Sequence, residues 1–212
     1  MGNMMRDYSV SQWQNGEMTP PAIGDEIRTA RLLLRCKRLS DAPLLKRAID
    51  MSLDHLRPWM PWAMHEPSEL SAIEARIAGF QRNFLRGADW SYGIFNAAET
   101  ELLGGAALHP SVGPDALELG YWLRADCTGK GIATEAAAAL TETAFSVFAV
   151  SRVEIHCDPK NLRSARIPER LGYRLVETLI ANTLNPAGEP RDTMVWAIER
   201  EPFEARRDGF AP

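Results

Sequence analysis

The residues best suited to chemistry lie in one short run, Tyr121-Trp122-Leu123-Arg124-Ala125-Asp126-Cys127-Thr128-Gly129-Lys130-Gly131-Ile132-Ala133-Thr134-Glu135. An apolar strand ends, a turn bearing two glycines follows, and a helix begins. Gly129 and Gly131 lack Cβ atoms, so backbone N–H groups in the turn can close on an anion. The N-terminus of the following helix adds about half a positive charge at the same point. Such a turn suits a pyrophosphate. It does not match other phosphate-binding loops: the Gly-x-x-x-x-Gly-Lys-Ser/Thr spacing is absent, and the third glycine of Gly-x-Gly-x-x-Gly is replaced by Thr134. On these residues alone, a purely structural turn and a nucleotide-holding turn both stay open.

Other reactive side chains are sparse. His55, His65, His109 and His156 form no i, i+4 ligand pair, so no metal site is expected. Cys36, Cys127 and Cys157 show neither disulfide nor zinc spacing. They read as buried reduced thiols, which suits a cytoplasmic protein.

The elements that would position the turn can be traced along the chain. Ile27 to Cys36 reads as a first strand. Ser40 is placed to cap a helix with Pro43 in its first turn. The segment Leu56 to Trp62 is broken by Pro58 and Pro61, and its indoles Trp59 and Trp62 either line a pocket or lie as a lid on the core. Ser71 and Glu74 have capping-box spacing ahead of Ile73, Ile77, Phe80 and Phe84 at helical period. Strands follow at Trp90 to Ile94, Leu102 to Leu108 and Leu117 to Leu123. The helix after the glycines repeats Ile132, Ala136, Leu140, Ala144 and Phe148, with Glu135 and Glu142 free to point to water. A short strand alternates through Val153, Ile155 and Cys157. A closing hairpin, Leu175 to Leu184 and Thr193 to Ile198, turns at Asn185-Pro186-Ala187-Gly188. This order predicts a mixed α/β sheet with helices on both faces.

With 212 residues, the chain suits one domain over residues 25–200, between tails at 1–24 and 201–212. The net charge of −4 without a basic run argues against nucleic acid. No apolar stretch approaches the ~18 residues of a membrane span.

The turn and three further segments together resemble the GNAT family of N-acyltransferases, in particular the branch that acetylates ribosomal-protein N-termini. The family's Gln/Arg-x-x-Gly-x-Gly/Ala signature corresponds to Thr128 to Ala133, with Thr128 departing at the first position. Glu118 to Trp122, Leu56 to Trp62, and Asn161-Leu162-Arg163-Ser164 followed by Arg170-Leu171-Gly172-Tyr173 are similar to the branch's other pieces. The resemblance covers roughly Ile27 to Ile198. It implies a mostly antiparallel sheet splayed in the middle, with acetyl-CoA as co-substrate and no metal. The pyrophosphate would rest on Gly129, Lys130, Gly131, Ile132, Ala133 and Thr134. Pantetheine would lie along Tyr121, Trp122 and Leu123, with Asn161 reaching it from the other side. Relatives often form homodimers, and the acceptor would be a protein N-terminus or a small-molecule amine such as an antibiotic.

Acyl transfer to an amine needs a neutral amine, a donor for the developing oxyanion and a proton for the departing thiolate. A backbone N–H at Trp122 or Leu123 is the expected oxyanion donor. Many relatives protonate the thiolate with a tyrosine whose position here is Pro168; the ribosomal branch uses the serine that corresponds to Ser164. Ser164 is also a good helix cap by composition. The branch's base position falls at Thr183, which leaves Glu118 and His109 as candidates. An α-amine near pKa 7.8 is roughly one-seventh neutral at pH 7, against about 0.04% for a lysine amine near 10.4. A weak base therefore favours α-amines. A coenzyme A-binding module without catalysis is the competing reading.

Overall fold

A computed structural model of the chain describes residues 26–185, 187–201 and 203. The predicted tails and Pro186 of the hairpin turn fall outside the described residues, apart from Glu201 and Phe203.

Eight strands form one sheet in the order β1-β2-β3-β4-β5-β6-β8-β7. They are β1 (Glu26–Arg28), β2 (Leu32–Cys36), β3 (Trp90–Asn96), β4 (Leu102–His109), β5 (Ala116–Leu123), β6 (Arg152–Cys157), β7 (Arg174–Leu184) and β8 (Pro190–Glu199). Every neighbouring pair is antiparallel except β5 and β6. Among the described residues, the α-helices that pack on the sheet are α1 (Ala42–Asp50), α2 (Leu53–Leu56), α3 (Leu70–Arg86), α4 (Ile132–Ser146) and α5 (Leu162–Arg170).

Strand alternation gives the sheet two apolar faces. Leu32, Leu34, Leu117, Leu119 and Leu123 meet Ile132, Ala136, Leu140 and Ala144 of α4 on one face. Leu33, Phe95 and Leu102 meet Leu45 and Ile49 of α1 with Ile73 and Ile77 of α3 on the other. The alanines of α4 let that helix sit close to the sheet, and its four-residue period holds through Ala144. Phe148 is buried just beyond the helix end.

Local signals misplaced several boundaries. The predicted first strand is two, because Thr29 turns the chain: its hydroxyl accepts from Leu32 N at 3.0 Å, and its N–H donates to Leu32 O at 2.9 Å. Ser40 caps nothing. Asp41 is the N-cap residue of α1, and its carboxylate accepts from Arg38 N at 2.7 Å and from both Arg35 terminal nitrogens at 2.7 and 3.0 Å. Helix α3 starts behind Glu69 without a side-chain cap, so the Ser71–Glu74 box does not form. Glu142 is exposed as expected, but Glu135 binds Thr29 and Arg31 rather than water.

Candidate active site

Strand β5 pairs with β4 along most of its length, from Glu118 opposite His109 to Leu123 opposite Gly104. With β6 it pairs only at Ala116, Leu117 and Glu118. Beyond Glu118 the two strands diverge, so Leu119 to Leu123 have no ladder partner on the β6 side. A gap in the middle of a sheet leaves backbone donors and acceptors to be met by something other than a strand.

The glycine turn closes one end of that gap. Gly129 and Gly131 have φ of 75° and 76°, a left-handed conformation that side chains with Cβ resist. No atom lies within 4 Å of where a Gly129 Cβ would stand. Gly131 is the N-cap residue of the 15-residue helix α4, whose first N–H groups have no partner within the helix. Arg31 braces the turn from behind: its Nη1 donates to Lys130 O at 3.0 Å and its Nε to Glu135 Oε2 at 2.6 Å. Thr128 Oγ1 donates to Ala125 O at 3.0 Å, so its hydroxyl serves the turn itself.

A cavity of ≈ 740 Å³ runs along this turn and the open edge of β5. Tyr121, Trp122, Leu123, Gly129, Gly131, Ile132, Ala133, Thr134 and Asn161 all line it, whereas Lys130 does not. A second cavity of ≈ 770 Å³ lies on the Glu118 face and includes His109 and Glu118. Six residues belong to both: Trp59, Met60, Tyr121, Trp122, Asn161 and Ser164. The two indoles of the proline-broken segment therefore line cavities, and Trp62 also packs edge-on to Trp122 with ring centroids 5.7 Å apart. Gly105 admits that Trp122 ring, because a Cβ there would stand 2.6 Å from the indole nitrogen.

Ser164 sits in the first turn of α5 but does not cap it. Asn161 is the cap, its Oδ1 accepting from Ser164 N at 3.2 Å. The Ser164 hydroxyl instead faces Tyr121 OH at 3.2 Å, and that phenol also donates to Ser164 O at 3.1 Å. Burial pushes the Tyr121 phenol upward, so it stays protonated. Burial likewise pushes the Cys157 thiol up to about 11, which removes it as a nucleophile. Pro168, at the position of the family tyrosine, is buried inside α5. Thr183, at the branch's base position, lines the second cavity and meets Arg191 Nε at 3.2 Å.

The predicted bases fall in one row across the sheet. His109 on β4, Glu118 on β5 and Glu154 on β6 are successive register partners. His109 Nδ1 lies 2.6 Å from Asp89 Oδ2, and this hydrogen bond raises its pKa against the opposing effect of burial. Glu118 Oε2 accepts from Ser111 Oγ at 2.9 Å. Its other oxygen stands 3.9 Å from Nδ1 of His156, whose Nε2 is 2.6 Å from Glu154 Oε2. Sequence reasoning passed over His156 and Glu154. The signal was present, since residues two apart on a strand share a face and Val153, Ile155 and Cys157 occupy the other.

A divided sheet with a braced glycine turn at one end, and cavities meeting at the division, describes a protein that brings an anionic carrier to a second substrate. The chain matches the acetyltransferase (GNAT) domain model over residues 31–174, well over half its length, and it belongs to that family. It is 33% identical over 126 residues to the probable N-acetyltransferase YjcK of Bacillus subtilis, covering 58% of this chain and 68% of the relative. It is 27% identical over 174 residues to the [ribosomal protein uS5]-alanine N-acetyltransferase of Escherichia coli, covering 81% of this chain and 89% of the relative. Mycobacterium smegmatis RimJ, in complex with CoA-disulfide, superposes with a TM-score of 0.71 at 25% identity, over 81% of this chain and 83% of that one. The protein is an N-acetyltransferase of the mixed-sheet GNAT fold, and its co-substrate is acetyl-CoA. Among the described residues no group of three His, Cys, Asp or Glu side chains is arranged to hold a metal, and no helix is long and apolar enough to cross a membrane.

Proposed function

We propose that the acetyl group passes directly from acetyl-CoA to a primary amine entering through the second cavity, and that this amine is the α-amine of a protein N-terminus. The observation that supports the reading is the set of six residues common to both cavities, across which a thioester in one would be within reach of an amine in the other. Gly129 to Thr134 would hold the pyrophosphate, with Tyr121, Trp122, Leu123 and Asn161 along the carrier arm. A backbone N–H of Trp122 or Leu123 would bind the oxyanion.

The amine nitrogen bonds to the acetyl carbon as the C–S bond breaks; one proton leaves the nitrogen and one arrives at sulfur. Ser164 gives the sulfur its proton and Tyr121, 3.2 Å away, replenishes the hydroxyl. His156 takes the proton from the amine at Nδ1, with Nε2–H held by Glu154 and with a Glu118 oxygen 3.9 Å from Nδ1. His109 is the weaker candidate, because it lies on β4, one strand farther from the division between β5 and β6. A modest base of this kind suits an α-amine, and the uS5-alanine acetyltransferase named above supports that substrate class.

The test is thiol release from acetyl-CoA with free N-terminal peptides, N-blocked lysine peptides and small amines. Turnover confined to free N-termini supports the proposal. Turnover confined to small amines would reassign the acceptor, and acetyl-CoA binding without transfer would leave only a coenzyme-binding module. Cys36, Cys127 and Cys157, present as thiols, support a cytoplasmic location. The exposed edge strand β7, with Leu175, Val176, Ile180 and Leu184 facing solvent, supports a homodimer that sedimentation would detect.

A further inference from the structure

The second cavity holds a cation that the transfer chemistry does not employ. Lys37, the residue after β2, is 4% exposed and lines the cavity wall. Its Nζ donates to Ser91 Oγ at 3.1 Å and stands 4.8 Å from the centre of the Phe80 ring. Among the described residues no carboxylate lies within ion-pair distance of it. Asp89 ahead of β3 and Asp41 ahead of α1 act on it from farther away, Cys36 adds to them, and Arg35 opposes. Burial outweighs these and pulls the ammonium down to about 8.

An ammonium carries three donors, and one hydroxyl plus one ring face do not satisfy them. A buried charge is ordinarily paired. The cavity's other basic groups already have partners: Arg76 has Glu66, His109 has Asp89, His156 has Glu154, and Arg191 has the Thr183 hydroxyl. His65, which also lines that wall, is an imidazole rather than a fixed cation.

Ser91 aligns with Ala107 on β4, and Ala107 with Gly120 on β5. Two strand spacings therefore separate the lysine's hydroxyl partner from the open strand, about 10 Å. An extended peptide advances roughly 3.3–3.6 Å per residue, so about three residues reach from the strand gap to Lys37.

We propose that Lys37 is an anion subsite of the acceptor cavity, and that the preferred acceptor is a peptide with an acidic side chain near its third residue. This rests on the acyl-transfer reading above. The test compares Ala-Ala-Asp-amide with Ala-Ala-Asn-amide, and the same pair with the acid moved to the second or fourth residue. Wild type should favour an acidic peptide in kcat/KM by roughly 10- to 100-fold, the effect of a charged hydrogen bond. Lys37→Met should abolish the preference while leaving kcat for the Asn peptide within about twofold; Met matches the stem and removes only the buried charge. The preference should shrink from pH 7 to pH 9.5 as the ammonium loses its proton, a change that a merely structural lysine would not cause.

Titration of the same peptides into the coenzyme A-bound protein, read by tryptophan fluorescence, separates binding from turnover. Should Lys37→Met not fold, Lys37→Gln carries the comparison. Transfer to both peptides without charge preference overturns the subsite and leaves the acyl-transfer reading standing. A Lys37-dependent binding preference without transfer does the reverse. Equal binding of acidic and neutral peptides in the titration overturns the subsite whether or not transfer occurs.

Discussion

Ser164→Ala and Asn161→Ala separate two roles that the sequence left joined in one hydroxyl. The structure gives the cap of α5 to Asn161, and Ser164 contributes only its N–H to that bond. Removing the Ser164 hydroxyl therefore leaves the cap in place. It does not orphan Tyr121 either, since that phenol keeps Ser164 O as a partner at 3.1 Å. The stability cost should stay below about 1 kcal/mol, the net worth of one neutral hydrogen bond. Asn161→Ala removes the cap and should cost about 1 kcal/mol, with a range of roughly 0.5–2. For a chain of this size, that is a Tm loss of about 2–4 °C per kcal/mol. Activity should divide the other way. Loss of the proton donor lowers kcat by roughly 100- to 10,000-fold, with the Kd for acetyl-CoA little changed. Scanning calorimetry and thiol release at saturating acetyl-CoA measure both quantities on the same preparations. The reasoning is refuted if Ser164→Ala melts well below Asn161→Ala while turning over within about twofold of wild type; the hydroxyl would then be structural.

Three other outcomes are expected. Gly131→Val must place a β-branched residue at φ 76°, with its Cβ 3.4 Å from Arg31 Nη2, so calorimetry should record at least a tenfold loss of acetyl-CoA affinity in a folded protein; unchanged affinity would move the cradle elsewhere. His156→Gln should lower kcat/KM by roughly 100- to 10,000-fold, whereas Glu118→Gln should lower it less; a rate unaltered by either change would eliminate both as proton carriers. Asp89 raises the His109 pKa, so that pair stabilises the fold below about pH 6.5, the unfolded imidazole's value, and loses its effect as pH rises through the higher folded value. Asp89→Asn should therefore lower Tm more at pH 5.5 than at pH 9, and an equal loss at both would contradict the sign.

The glycine turn, the helix after it and the closing hairpin were legible because each rests on local pattern: two glycines at a strand end, a four-residue apolar period, a turn tetrapeptide. Caps were less legible. Ser40 and Ser71 have the right chemistry, but the buried Arg35 fixes Asp41 from a neighbouring strand, and no short-range rule encodes that. Glu135 was misread for the same reason, since Thr29 and Arg31 are more than a hundred positions away. Most residues proposed for the carrier side lie in one contiguous stretch, Tyr121 to Thr134, which is why sequence alone singles them out. The second cavity is lined from β3 to β8, from α1 and α3, and by Lys37 just after β2. Lys37 and His156 become conspicuous only when these strands are adjacent.

The brief pairing of β5 with β6 also has a mechanical meaning. Strands β1 to β5 and strands β6 to β8 are like two leaves of a book whose spine is three residue pairs long, at Ala116, Leu117 and Glu118. One leaf carries Trp122 and Lys37; the other carries His156, with Asn161 and Ser164 just beyond its first strand. A substrate bonded to both leaves would bridge residues that the sheet itself joins only along that short spine.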